Sequence, residues 1–248
     1  ATFYKPGYGV GYIMIANLCA AFFALLLLHK EFFSFEFKFN RKVWAGMMIY
    51  SMPLIIVGFG GMINEVFDRI MLTWLAPVAT MTAAKDQVAI YSACYKLSIL
   101  ITLFINAFRM GAEPFFFKQA EGQNPQKVYA RVMKFFVITI TVMFLVVSLY
   151  LDIWKYFLSA DPEKLKIYET GLKVVPILLL ANMFLGIYYN LSIWYKLTHK
   201  TIAGAYITLA GAAITLVINF TFIPYFGYMA CAWATFLCYF SMMVFSFL

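Results

Sequence analysis

The chain has 248 residues, of which 64% are hydrophobic and only 12% are charged. Soluble domains carry about 25% charged residues, so this composition excludes a soluble globular protein, which would lack the polar groups to cover its apolar surface. The formal net charge of +8 is interpreted as a membrane-orientation signal, because the basic residues flank apolar runs, and not as a sign of nucleic-acid binding.

Long runs without Asp, Glu, Lys or Arg indicate membrane-spanning helices. They cover residues 6–28, 43–64, 135–151, 174–195 and 201–248. A helix needs roughly 20 apolar residues to cross the hydrocarbon core, so each run is long enough, and the last is long enough for two spans. These runs do not alternate as the strands of a membrane barrel do. The sequence therefore predicts an all-α polytopic membrane protein.

In chain order, seven helices are predicted, at 8–28, 44–70, 88–110, 133–151, 172–194, 202–222 and 228–248. Helix-breaking residues set several of the ends. Pro77, Pro114 and Pro162 are placed after the second, third and fourth helices, and Pro224 with Gly227 before the seventh. Because the chain starts with Ala and stops inside an apolar run, we expect a piece of a longer protein.

The loops differ in basic residues, which predicts the orientation. One side holds Lys30, Lys38, Arg41, Lys42, Arg109, Lys118, Lys127, Arg131, Lys134, Lys196 and Lys200; the other holds Lys5, Lys85, Lys155, Lys164, Lys166 and Lys173. The first side is predicted to be cytoplasmic, because the Lys/Arg bias of short loops sets orientation. The lysines of the 152–173 loop have acidic neighbours, which is typical of a solvated loop.

Three charges lie together near the end of the second predicted helix. Glu65, Asp68 and Arg69 are spaced i, i+3 and i+4 and therefore share one helix face. One interpretation is that they neutralise one another and end the span. The other is that this face, with neighbouring Asn64, lines an aqueous cavity, since charges inside membranes generally mark substrate or ion pathways.

The third predicted helix carries Lys96, which has no carboxylate near it in sequence. Its expected partner is Asp68 or Glu65 across the hairpin, or an anionic ligand; the alternative is that it extends to the outer surface. Asn106 is a further cavity candidate, because it shares a face with Glu113. Neighbouring Arg109 is interpreted as a cytoplasmic anchor.

Pro53, Gly58, Gly60 and Gly61 precede the charges in the second helix. Proline removes a backbone hydrogen bond and glycine lowers the resistance to bending. These residues predict either a hinge or a static kink.

The sixth predicted helix has a stripe of small or polar residues at Gly204, Thr208, Gly211, Thr215 and Asn219. Small residues at this spacing allow close helix packing, which we favour over cavity lining. In the fifth helix, Tyr188, Tyr189, Trp194 and Tyr195 are either sugar-stacking or structural aromatics.

Motifs for catalysis or metal binding are missing from the sequence. The four cysteines lie in apolar runs without a CxxC, and His29 and His199 are far apart. The sequence contains no HExxH, GxSxG or DxD motif. We therefore expect neither an enzyme nor a bound metal or cofactor.

A resemblance to a known family rests on two segments, YSMPLIIVGFGGMINEVFDRIML and IYSACYKLSILITLFINAFRMGAEPFFFKQA. They resemble the first two helices of the C-terminal lobe in bacterial polysaccharide exporters. These are the Wzx-type flippases, in the superfamily of MATE exporters and MurJ-type lipid II flippases. The matching features are Pro53, the Asp68-Arg69 pair, Tyr91, Tyr95, Lys96 and the closing GAEPFF.

The resemblance implies one lobe of a two-lobe alternating-access transporter plus one helix. Residues 1–43 would be the last helix of the N-terminal lobe with the cytoplasmic inter-lobe loop, and 44–248 the six-helix C-terminal lobe. The other N-terminal helices would be a partner outside this chain, and membrane lipids would surround it.

The implied function is to flip an undecaprenyl-pyrophosphate-linked oligosaccharide across the bacterial cytoplasmic (inner) membrane, for O-antigen (lipopolysaccharide) or capsule biosynthesis. Arg69 and Lys96 would then bind the pyrophosphate, with Glu65 and Asp68 as their partners when no ligand is bound. The alternative is a MATE-like, cation-coupled exporter of small compounds, for which a carboxylate-dominated cavity is expected.

Overall fold

A computed structural model describes residues 11–30, 39–78, 80–120, 122, 124–159, 161–198 and 200–247. These residues form helices joined by short turns and contain no β-strand. Within them, six helices are long and apolar enough to cross a membrane, and a shorter apolar helix precedes them. The predicted all-α polytopic membrane fold is confirmed. The chain divides into two compact units, residues 1–46 and 47–248.

The first unit contains helix α1, Gly11–Leu27, which buries none of its side chains. The predicted span began at residue 8, and residues 8–10 lie outside the described part of the chain. The same holds for residues 31–38 of the predicted inter-lobe loop and for Lys5 and Lys38. Asn40 begins the next helix: its Oδ1 accepts hydrogen bonds from the backbone N–H of Lys42 (3.0 Å) and Val43 (3.3 Å), as an N-cap does.

The remaining helices are α2 (Arg41–Leu75), α3 (Met81–Gln119), α4 (Pro125–Leu149), α5 (Leu151–Trp154), α6 (Pro162–Glu169), α7 (Val175–Leu197), α8 (Thr201–Phe226) and α9 (Tyr228–Phe247). The six long ones match the second to seventh predicted spans in order, and the first predicted span corresponds to the shorter helix α1. Several are longer than predicted, because helices continue past the apolar run into the interface.

Two of the predicted helix ends were wrong. Pro114 lies inside α3 and Pro224 lies inside α8. A proline removes one backbone hydrogen bond, but neighbouring groups satisfy the freed carbonyl in membrane helices, so the helix continues. Gly227 separates α8 from α9 instead. Its positive φ of 56° favours glycine.

Helix α7 is at the centre of the second unit. On one side it packs against α3 and α4, where Gly186 admits Phe136 and Ile105: a Cβ on this glycine would lie 2.8 Å from Phe136 Cζ. On the other side Tyr188 packs with Cys238 and Met242 of α9. Two faces of α7 are therefore held by neighbouring helices, and its remaining surface is left for cavities.

The loop between α4 and α7 is held by ion pairs. Lys155 Nζ lies 3.0 Å from Glu169 Oε1 and 4.0 Å from Asp152 Oδ1. The hydrogen bond to Glu169 raises the pKa of Lys155. The acidic neighbours thus pair with lysines here, as expected for a solvated loop, and such partly exposed pairs contribute little stability.

Candidate functional site

A polar cavity of about 490 Å³ lies between α2, α3, α7 and α8. Its charged lining residues are Glu65, Arg109, Glu113 and Lys196, and its aromatic lining residues are Tyr188, Tyr189 and Tyr195. These residues come from the middle of α2 and the last parts of α3 and α7, and Thr201 and Gly204 add the first part of α8. The cavity therefore lies toward the helix ends that are predicted to be cytoplasmic.

A three-residue ion network crosses the cavity wall. Glu113 Oε1 accepts a 2.6 Å hydrogen bond from Lys196 Nζ and lies 3.8 Å from Arg109 Nε. The Arg109 guanidinium also stacks over the ring of Tyr189, 4.8 Å from its centroid. Because one carboxylate serves two cations, the network has an excess positive charge.

Two of the three tyrosines of the cavity are fixed in orientation by their hydroxyl groups. Tyr188 Oη lies 3.0 Å from Thr208 Oγ1 on α8, and Tyr195 Oη donates to Ser246 Oγ on α9 at 2.7 Å. With both hydroxyls bound to other helices, Tyr188 and Tyr195 are held in the cavity wall, where both are buried. The site thus combines cations for an anion with one partly exposed aromatic ring, that of Tyr189.

A second polar cluster, centred on Asp68, is buried and separate from this cavity. Asp68 is only 2% exposed. Its Oδ2 accepts hydrogen bonds from Tyr91 Oη (3.0 Å) and Thr235 Oγ1 (2.9 Å), and its Oδ1 accepts one from Asn219 Nδ2 (2.6 Å). One turn earlier, Asn64 Oδ1 accepts from a threonine of α8 at 2.9 Å. Asp68 thus joins α2 to α3, α8 and α9.

Two family profiles match the sequence. Residues 3–120 match the family described as Polysaccharide biosynthesis protein, and residues 66–221 match the MatE family. The MatE match spans more than half of the chain. The chain belongs to the MatE family. Both families are transporter families and not enzyme families, so this MatE protein is a multi-pass membrane transporter or flippase. Searches of curated proteins and of solved structures found no match.

Of the binding candidates predicted from the sequence, the structure brings only Glu65 to the cavity of this MatE protein. Asn64 and Asp68 are buried in the cluster just described. Lys96 and Asn106 are exposed, and neither has a hydrogen bond or ion pair with a described residue.

Arg69 contacts α3 and neither of the nearby carboxylates. It donates from Nη1 to the backbone oxygen of Glu65 (2.7 Å) and from Nε to Ser92 Oγ (3.3 Å), and its guanidinium lies 4.9 Å from the ring centroid of Tyr95. The expected pairing of Glu65 and Asp68 with Arg69 and Lys96 is therefore wrong in the described part of the chain. That Arg69 and Lys96 bind substrate stays a prediction from the sequence.

The small-residue stripe of the MatE protein's α8 is buried along its whole length. At Gly60 of α2 the two helices approach closely: a Cβ there would lie 2.8 Å from Thr208 Cγ2. Gly58 and Gly61 instead line the cavity and have open space around them. Helix α2 is continuous through Pro53. The hinge stays a prediction. The three glycines differ in environment, because Gly60 contacts α8 whereas Gly58 and Gly61 face the cavity.

The double variant Gly58→Ala, Gly61→Ala tests the hinge. Alanine has room at both positions and disfavours bending, so transport is expected to fall if α2 bends there, while the melting temperature in detergent stays equal or rises slightly. Gly60→Ala is the matched comparison and is expected to lower the melting temperature through its clash with Thr208. Full transport in the double variant would contradict a hinge.

Sequence reasoning missed most of the cavity of this MatE protein. Arg109 and Glu113 are an i, i+4 pair, a pattern that was available in the sequence but was interpreted as an interface anchor. Lys196 lies 83 residues beyond Glu113. No local pattern indicates that pairing.

Proposed function

We propose that this chain forms part of a flippase that moves an undecaprenyl-pyrophosphate-linked oligosaccharide from the cytoplasmic to the outer leaflet of the bacterial cytoplasmic membrane. The observation that carries the proposal is the placement of two cations in one cavity, Lys196 and Arg109, the latter over the ring of Tyr189. Guanidinium and ammonium groups are the usual protein partners of phosphate oxygens. The Polysaccharide biosynthesis match over residues 3–120 favours a glycan substrate over a small compound.

Glu113 has a defined part in this proposal. Without substrate, the Glu113 carboxylate forms ion pairs with both Lys196 and Arg109. Neither cation is then left without a counter-charge inside the membrane. A pyrophosphate entering from the predicted cytoplasmic side replaces this carboxylate as their partner. Release on the other side restores the internal pair, so the cations are compensated in both states.

The function is tested by deleting the gene and analysing lipid extracts by mass spectrometry, together with a stain for surface polysaccharide. The expected result is that complete undecaprenyl-linked oligosaccharide accumulates while the surface polymer, O-antigen or capsule, disappears. The wild-type gene supplied in trans is the control and restores both. Unchanged lipid-linked intermediates and normal surface polymer would contradict the proposal.

A second candidate is a cation-coupled exporter of small cationic compounds. It is favoured by Glu65, which lines the cavity, is exposed, and has no ion pair with another described residue. An exporter of this kind predicts that the deletion strain becomes sensitive to cationic drugs and that Glu65→Gln reproduces the sensitivity. Drug sensitivity of the deletion strain together with normal surface polymer would favour the exporter over the flippase.

A further inference from the structure

An apolar groove lies on the opposite side of α7 from the polar cavity. It consists of two adjoining cavities of about 340 and 330 Å³ between α4, α7 and α9. The two share Met133, Leu191 and Phe247 in their walls. Along α7 the groove extends from Ile187 to Trp194, which at 1.5 Å per residue is about 10 Å.

Two of the polar groups of the groove-lining residues donate hydrogen bonds inside the protein. Tyr129 Oη donates to the backbone oxygen of Phe116 at 3.0 Å, and Asn190 Nδ2 donates to the backbone oxygen of Gly186 at 3.0 Å. The rest of the lining is mainly hydrocarbon and aromatic surface. The groove therefore suits an alkyl chain and has few groups with which to recognise a polar ligand along its length.

A basic rim lies on α4, beside the residues of that helix that line the groove. Lys127, Arg131 and Lys134 are spaced i, i+4 and i+7 on α4, so they share one face, and all three are exposed. Ala130, one turn before Lys134 and therefore beside it on the helix, lines the groove. Helix α4 contains no Asp or Glu, and none of the three cations pairs with a carboxylate of the described residues.

The other wall of the groove adds a fourth cation. Lys200 Nζ lies 5.2 Å from the ring centroid of Trp194, which itself lines the groove and is 53% exposed. A half-exposed tryptophan beside lysine is typical of the level where lipid headgroups lie. The rim thus places positive charge on both sides of an apolar slot at that level.

We propose that this groove binds an anionic phospholipid of the cytoplasmic leaflet, with an acyl chain against Met133 and Leu191 and the phosphate between the α4 stripe and Lys200. The cytoplasmic leaflet is rich in anionic lipids, which attract Lys and Arg near its surface. A protein ligand fits less well, because the apolar part of the groove lies on spanning helices, where lipid chains are the neighbours. The site does not depend on the transported substrate, because α7 separates it from the polar cavity.

Native mass spectrometry of the full protein in detergent tests the proposal, with dioleoyl phosphatidylglycerol and dioleoyl phosphatidylcholine as probes at equal concentration. The tails are identical, so a difference reports the headgroup. Phosphatidylglycerol is expected to be retained at least about tenfold more than phosphatidylcholine, given four cations at the rim. Equal retention of the two lipids would overturn the proposal.

Two variants separate the rim from the groove. The triple variant K127Q/R131Q/K134Q is expected to lose the preference for phosphatidylglycerol, whereas the matched triple K164Q/K166Q/K173Q, on the predicted opposite side, keeps it. Ala130→Trp fills the groove and is expected to lower retention of both lipids at least about fivefold; melting temperatures confirm that each variant is folded. Unchanged retention in Ala130→Trp would overturn the groove as the binding site.

Two further outcomes would also overturn the proposal. Glycerol phosphate, which has the headgroup but no tails, is expected not to displace phosphatidylglycerol at equal concentration; displacement would mean that the cations alone bind an anion. The same spectra also show whether the protein binds a second copy of itself. If they show a dimer without bound lipid, and Ala130→Trp abolishes that dimer, the groove is an interface between copies and not a lipid site.

Discussion

Replacing Asp68 with alanine is expected to lower the free energy of unfolding by about 3 kcal/mol or more. The side chain accepts hydrogen bonds from Tyr91, Asn219 and Thr235, and all four residues are buried. Each buried donor that loses its acceptor costs roughly 1–3 kcal/mol. The measurement is unfolding of the purified protein in mixed micelles, followed by far-UV circular dichroism.

Glu65→Ala is the matched control, because Glu65 is a carboxylate on the same helix that lines the cavity and is exposed. It is expected to change the unfolding free energy by less than about 0.5 kcal/mol. Asp68→Asn keeps one acceptor oxygen and is expected to fall between the two. Equal stability of Asp68→Ala and Glu65→Ala would contradict the assignment of Asp68 as the group that joins the four helices.

The double variant Arg109→Ala, Lys196→Ala is expected to abolish export of surface polysaccharide. A charged hydrogen bond contributes about 1.5–3 kcal/mol, so losing two to the same phosphate corresponds to a loss in affinity of roughly 10²–10⁴-fold. Complementation of the deletion strain measures the effect, with lipid-linked intermediate and surface polymer as readouts. Immunoblotting of the membrane fraction shows whether the variant reaches wild-type level.

Lys96→Ala is the comparison that distinguishes the structural site from the one predicted by sequence. Lys96 is exposed, has no partner among the described residues and does not line the cavity. We expect export to stay within about twofold of wild type. If Lys96→Ala abolishes export while the double variant at Arg109 and Lys196 retains it, the cavity is not the substrate site.

The spans were predictable because hydrophobicity over about 20 residues is a local property that the bilayer itself requires. Prolines were less informative than expected. Both Pro114 and Pro224 lie within helices, since a membrane helix tolerates the lost hydrogen bond when other groups satisfy the carbonyl. Local sequence thus predicted the spans well and their ends poorly.

The environments of the in-span charges were not predictable from spacing. Adjacent residues on a helix point about 100° apart, which is enough to direct Asp68 into the buried junction of α3, α8 and α9 and Arg69 toward α3 alone. The same angle separates Tyr95, under the Arg69 guanidinium, from exposed Lys96. Which side of α2 meets a neighbouring helix depends on contacts far away in sequence, and so does the pairing of Glu113 with Lys196.

The buried residues of α2 are Gly60, Asn64, Asp68 and Leu72, so the buried contacts of this helix begin at Gly60. Residues 47–59 of α2 include no buried residue. The contact between Gly60 and Thr208 is therefore the point about which the first part of α2 would rotate. The segment from Met47 to Gly60 is about 20 Å long, so a rotation of about 15° moves Met47 by about 5 Å. A small change where α2 meets α8 is thereby amplified toward the predicted cytoplasmic face.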